Sequence, residues 1–324
     1  MKKIELHVHL DGSVRPKTVS ELLNYDIKDV KNKMMVTSDT KDLTEYLTKF
    51  DLPIKAMQTK DNLKRIAREL ALDLKDDDVI YAEVRFAPIL HTKEGLSLDE
   101  VVSSVLEGIK SVNEIKVNLI LCMMRGFSYE DNLKTIMVTK KFLNKGVVGL
   151  DLAGDEKKYQ TINYKDLFMI AKDNNIPFTI HAGEADTSKS VLDAINFGAK
   201  RIGHGIAIVN DDKVLNKVKE KNISLEVCPT SNVDTKAVLS YEKHPIKDLF
   251  LKGVKVTVNT DDRTVSNITL SKEYEKLKEY FNFSDEEFLQ MNLNAISSSF
   301  MNEDEKTRYT KMIMKEKKLN WGDK

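Results

Sequence analysis

The sequence predicts an α/β fold, a (β/α)8 TIM-type barrel with extra helices after strand 1 and at the C-terminus. Two observations predict it. Eight short, β-branched apolar runs recur along the 324 residues, and longer polar segments with helical spacing separate them. The runs are Lys3–Leu10, Ile80–Pro88, Val117–Met124, Val147–Gly154, Pro177–Glu184, Arg201–Ile208, Ile223–Ser231 and Lys255–Asp262. A doubly wound open sheet is the alternative arrangement of the same elements.

Taken in order, the first run is followed by the longest connection, with room for two or three helices. "TKDNLKRIARELALDLKDD" leads into the second run, and "SLDEVVSSVLEGIKSVNE" joins the second to the third. "DNLKTIMVTKKFLNKG" joins the third to the fourth, and "DDKVLNKVKEKN" precedes the seventh. The tail after Thr269 is helical by composition. Near-continuous apolar stretches such as "VVGL" and "KVTV" suit strands buried on both faces. With only 6 prolines and 13 glycines there is no linker, which predicts one domain over residues 1–324.

Lys+Arg and Asp+Glu are 51 each, so the formal net charge is zero. That balance gives no bulk attraction for nucleic acid or an anionic membrane, and a small neutral ligand fits better. Cys122 and Cys228 form neither a disulfide framework nor a CxxC pair and read as buried small hydrophobes. "MKKIELHVHLDG" does not read as a signal peptide, and no stretch approaches a membrane span, so the expected location is cytoplasmic.

In a barrel the chemistry sits at the C-terminal ends of the strands, and there the unusual residues fall. His7 and His9 are two apart in the first run and share one strand face. The fifth run ends with His181 and Glu184, the sixth contains His204, and the eighth ends with Asp261 and Asp262. Four of the six histidines thus lie on predicted strands. Either of two histidines alone reads as a core residue satisfied by hydrogen bonds, but the whole group on one rim reads as a site. His7, His9, His181 and Asp261 supply three nitrogens and one carboxylate oxygen, a ligand set for zinc with water completing it. Bound zinc lowers the pKa of that water to about 7. Glu184 is placed to carry a proton to a substrate, and His204 and Asp262 to orient and deprotonate the water.

Together these residues resemble adenosine deaminase, within the amidohydrolase superfamily. The matching stretches are "ELHVHLDGSVRP", "YLTKFDLP", "YAEVRFAP", "GLDLAGDE", "HAGE", "RIGHG", "LEVCPTSN" and "VTVNTDDR", in order from residue 5 to 263. The resemblance implies zinc-dependent hydrolytic deamination of adenosine and 2′-deoxyadenosine to inosine and 2′-deoxyinosine, with release of ammonia, in purine salvage. It implies zinc on His7, His9, His181 and Asp261, proton donation from Glu184 to purine N1, and His204 steadying the developing charge at C6. It further implies Asp262 on the purine N7, the Gly154 N–H on N3 and Asp11 on the ribose 5′-hydroxyl. His9 would lie against the substrate as well. Two-metal relatives carry a carboxylated lysine at the end of strand four. This chain has Asp151-Leu152-Ala153-Gly154 there, so one zinc per chain is expected.

Relatives set the alternatives. AMP deaminases must hold a phosphate, and no Gly-rich phosphate loop is visible. Adenine deaminases share the metal set but usually have Glu where Asp11 stands. Aminofutalosine deaminases share the core motifs. A purine-binding barrel without chemistry would be expected to have lost at least one of these residues. The segment "LTEYLTKFDL" matches a helix that lids the pocket in the family. Leu43, Tyr46, Leu47 and Phe50 form one apolar face there, as a lid or as plain core packing. One departure is Ala87, where vertebrate relatives often have serine. His91 and His244 are expected to serve polar loops, and the lysine-rich segments "TKKFLNKG" and "KVKEKN" to be solvated faces. No protein partner is expected.

Overall fold

A computed structural model describes residues 1–321, so the last three residues of the expected domain lie outside the described residues. The eight strands are β1 Lys3–His9, β2 Val79–Phe86, β3 Lys116–Met124, β4 Val147–Ala153, β5 Thr179–Ala182, β6 Arg201–His204, β7 Ser224–Val227 and β8 Lys255–Val258. All neighbouring pairs are parallel, in the orders β1-β2-β3-β4 and β5-β6-β7-β8. Two seams close the ring. Leu150 pairs with Phe178 between β4 and β5, and Val8 pairs with Asp261 between β1 and the exit of β8. The fold is a (β/α)8 barrel, not an open sheet.

The strands of the second half are shorter than their apolar runs. The fifth run continues past β5 into the loop that bears Glu184, and the eighth passes β8 before reaching Asp261 and Asp262. The seventh turns at Pro229, the first residue of the helix Pro229–Asp234. The connection from β1 to β2 holds five helices rather than two or three: Pro16–Leu23, Ile27–Met34, Leu43–Leu47, Asp51–Ala56 and Lys60–Asp76. Several are only one or two turns long, below the length at which sequence periodicity separates one helix from the next. The tail forms Leu270–Phe281, Asp285–Ser298 and Glu303–Trp321, and Thr269 caps the first by accepting from the Lys272 N–H.

The barrel interior is less apolar than the runs imply. Arg85 and Arg201 are fully buried inside it. Arg85 reaches Asp151 and Glu226, each at 2.7 Å, while Arg201 reaches Glu226 at 2.5 Å and Glu83 at 2.6 Å. Each buried charge has an opposite partner, which is the condition for tolerating it there. Among the described residues no helix is long and apolar enough to cross a membrane.

Candidate active site

His7 and His9 sit on β1 with one residue between them, and the β8 exit is stitched directly to that strand. The Asp261 N–H donates to the His7 carbonyl at 2.8 Å, and the His9 N–H donates to the Asp261 carbonyl at 2.7 Å. This backbone pairing brings three of the four expected ligands to one seam. His181, on β5, faces them across the mouth. Its Nε2 lies 3.2 Å from His9 Nε2, and Asp261 Oδ1 lies 3.2 Å from His7 Nε2 and 3.3 Å from His9 Nε2. The four ligand atoms fall within 4.8 Å of one another.

The donor set fits a metal ion. His7 Nε2 is buried with no well-aligned hydrogen bond, the oxygen nearest it being that of another expected ligand, Asp261, as a nitrogen aimed at a shared cation would be. Burial pulls His7 and His9 below the usual imidazole range, which favours the neutral form that ligates. Burial also pulls on His181, but the charge and hydrogen bond of Asp151 together with the Asp261 charge outweigh it and hold that imidazole up. For Asp261, the neighbouring imidazoles outweigh burial and hold the carboxyl well below its usual range. Behind the ligands stand two carboxylates. His7 Nδ1 lies 2.9 Å from Glu226 Oε2, and His181 Nδ1 lies 2.9 Å from Asp151 Oδ2. Such partners orient a ligating ring and fix which nitrogen is free. A second grouping, His7, His204, Cys228 and Asp261, also converges. Burial pushes the Cys228 thiol far up, and it points toward the Glu226 carbonyl at 3.6 Å, so it offers no thiolate.

The remaining expected residues gather around a cavity of about 220 Å3, the scale of a small molecule. Asp11, Gly154, Glu184, His204, Asp262 and also Leu43, Tyr46, Leu47 and Phe50 line it. Asp11 lies in the turn after β1, where burial pushes its carboxyl up to about 6. Gly154 follows β4 with φ +103°, a conformation side chains rarely adopt. Asp262 packs over Gly12 so closely that a Cβ there would collide with its carboxylate. Burial and the Asp261 charge push Asp262 well above the usual carboxyl range. Glu184 Oε1 accepts from Asn232 Nδ2 and Thr235 Oγ1, each at 3.0 Å, while its Oε2 lies 3.7 Å from His204 Nε2. His204 and Asp261 both have φ +60°, the left-handed region that costs a non-glycine residue on the order of 1–3 kcal/mol. Among the described residues no lysine or arginine lines this cavity, whereas four carboxylates do. A cleft of about 330 Å3 at the opposite end, beside Lys3, Tyr274 and Glu316, contains none of the expected residues.

Several residues here escape a reading by sequence. Asp151 and Glu226 interrupt buried strands, and that interruption is the signal that could have found them. Glu156 accepts from the N–H groups of Gly183, Glu184 and Ala185 at 2.6, 3.0 and 3.0 Å, and so shapes the loop carrying Glu184. Tyr46 does more than supply an apolar face: its hydroxyl donates to Asp262 Oδ2 at 2.8 Å. His91 and His244 do sit in connecting turns, but neither ring faces solvent. His91 is fully buried against Phe86, and His244 is buried behind Asn232.

Comparison with known proteins agrees with this geometry. The chain matches the sequence model for "Adenosine deaminase" over residues 2–316. It is 45% identical to an adenosine deaminase of Clostridium botulinum, over 97% of this chain and 98% of that one. The solved structure of an N6-methyl-AMP deaminase from Arabidopsis thaliana superposes with a TM-score of 0.87 at 29% identity, covering 97% of this chain and 96% of that one. An amidohydrolase from Burkholderia ambifaria, solved with bound Zn, shares the fold with a TM-score of 0.90 at 21% identity, covering 98% of this chain and 91% of that one. The chain belongs to the adenosine deaminase family, as a hydrolytic deaminase on a (β/α)8 barrel.

Proposed function

We propose that this protein hydrolytically deaminates adenosine and 2′-deoxyadenosine to inosine and 2′-deoxyinosine, releasing ammonia, with one zinc ion per chain. Its setting would be purine salvage in the cytoplasm, with residues 1–324 working as one domain. The observation that carries the reading is the convergence of His7, His9, His181 and Asp261 beside Glu184 in a cavity that, among the described residues, has no lysine or arginine. His7, His9, His181 and Asp261 would hold the metal, which when bound supplies a water acidified to a pKa of about 7.

This chain's own residues would do the rest. Glu184 delivers a proton from Oε2 to purine N1, because two donors already occupy its Oε1. That proton makes C6 electrophilic. His204 stands beside the reacting oxygen and Asp262 beside it and the purine N7. The Gly154 N–H meets N3, and Asp11 binds the ribose 5′-hydroxyl. His9 lines the same cavity beside the ring. Leu43, Tyr46, Leu47 and Phe50 cover the mouth and exclude water, with Tyr46 tying the cover to Asp262. A nucleoside fits better than a nucleotide, since a phosphate would meet four carboxylates and no lysine or arginine.

The test is a pair of variants read for both rate and metal. Glu184→Gln is expected to retain zinc and lose at least about 100-fold in kcat, the lower range of a proton-transfer contribution. His181→Ala is expected to lose the zinc. An active Glu184→Gln enzyme would remove Glu184 as the proton donor, and a fully metallated His181→Ala protein would remove His181 from the ligand set.

A further inference from the structure

Asn232 does not line the cavity, yet it touches both groups assigned to proton handling. It lies in the helix Pro229–Asp234 and is fully buried. Its backbone is fixed on both sides: its N–H donates to the Cys228 carbonyl and its carbonyl accepts from the Val238 N–H, each at 2.9 Å. Its Nδ2 is 3.0 Å from Glu184 Oε1 and 3.0 Å from His204 Nδ1. One amide nitrogen carries two hydrogens, and here it faces two acceptors.

The direction of every bond in this chain follows from one backbone group. The Ile246 N–H donates to His244 Nδ1 at 3.1 Å, so that nitrogen carries no proton. The His244 proton is therefore on Nε2, which lies 3.2 Å from Asn232 Oδ1 and donates to it. His244 is buried, and its pKa is pushed down to about 3, chiefly by that burial, which keeps it neutral. With Oδ1 fixed as the acceptor, the Asn232 amide has one orientation, and its NH2 must face Glu184 and His204. An NH2 donating to His204 Nδ1 leaves that nitrogen unprotonated, which puts the His204 proton on Nε2, toward Asp261 and the cavity.

We propose that Asn232, oriented by His244, is a positioning residue that holds the His204 proton on Nε2 and keeps Glu184 Oε1 as an acceptor. The inference rests on the proposed roles of Glu184 and His204. In this tautomer His204 presents an N–H to the reacting oxygen and cannot accept a proton at Nε2. The transferable proton of Glu184 is confined to Oε2. When it leaves for purine N1, the carboxylate that remains keeps two donors on Oε1, from Asn232 and Thr235.

The direct test is long-range 1H–15N correlation spectroscopy of the zinc-loaded protein labelled with [15N]histidine, with His204 and His244 assigned through single substitutions. Both rings are expected to show protonated Nε2 and bare Nδ1. A His204 protonated at Nδ1 would overturn the inference. Kinetics give a second arm. Asn232→Asp replaces the donor with an acceptor and is expected to lower kcat by about 10–100-fold, with KM for adenosine changed less than about threefold. His244→Gln, whose amide can still donate to Asn232 Oδ1, is expected to keep kcat within about threefold of wild type, whereas His244→Phe falls about as far as Asn232→Asp. Wild-type kcat in Asn232→Asp, or equal loss in the two His244 variants, would contradict the relay. If the wild-type protein fails to turn over adenosine, the proposed function falls, and the ring tautomers still decide this inference by themselves.

Discussion

At the level of single residues, His7, His9, His181, His204 and the Asp261-Asp262 pair are visible in the sequence because polar groups stand out at the ends of apolar runs. The residues behind them are not. Asp151 meets His181 across a strand boundary, and Glu226 on β7 meets His7 on β1 across the closing seam, 219 positions away in sequence. No local pattern encodes such a distance. Nor does any pattern predict that His204 and Asp261 adopt positive φ, since only the surrounding structure holds them there. The second layer gives a prediction at this scale. Asp151→Asn removes the charge behind His181 and is expected to weaken zinc binding by about 10–100-fold, measured by competition with a chelator of known affinity. Unchanged affinity would show that Asp151 serves only the Arg85 ion pair.

The elements are legible to different degrees. Strong periodicity marks the helix Lys60–Asp76, whose buried face runs Leu63, Ile66, Ala67, Leu70, Ala71 and Leu74. The five-helix connection after β1 is not legible in the same way. Its short pieces are held by packing against one another and against the turn after β1 rather than by their own propensity. The segment from Leu43 to Phe50 shows what periodicity leaves out. Its i, i+3, i+4, i+7 pattern identifies a face, but not that the face lines a cavity, nor that the Tyr46 hydroxyl is committed to Asp262. Tyr46→Phe keeps the ring and deletes that bond. It is expected to lower kcat/KM for adenosine about tenfold, equivalent to about 1.4 kcal/mol, the scale of one hydrogen bond. No change would mean that the cover acts through its apolar surface alone.

For the whole molecule, eight runs of about the right length and order were enough to indicate the barrel, because parallel strands buried on both faces have few other arrangements. Closure was not legible. It depends on the β8 exit pairing with β1 through Asp261, the same residue that offers a ligand. The metal would thus tie β1, β5 and the β8 exit together, so its removal should be felt by the whole fold. Saturating zinc at about 1,000 times its Kd should stabilise the protein by about 4 kcal/mol and raise the melting temperature by several degrees. The His181→Ala variant should show no such shift. The central claim is tested most directly by an ultraviolet assay of the purified protein with adenosine, 2′-deoxyadenosine, adenine and AMP side by side, before and after chelation. The account predicts fast, chelator-sensitive turnover of both nucleosides with adenine and AMP untouched; turnover of adenine or AMP in preference to adenosine would contradict it.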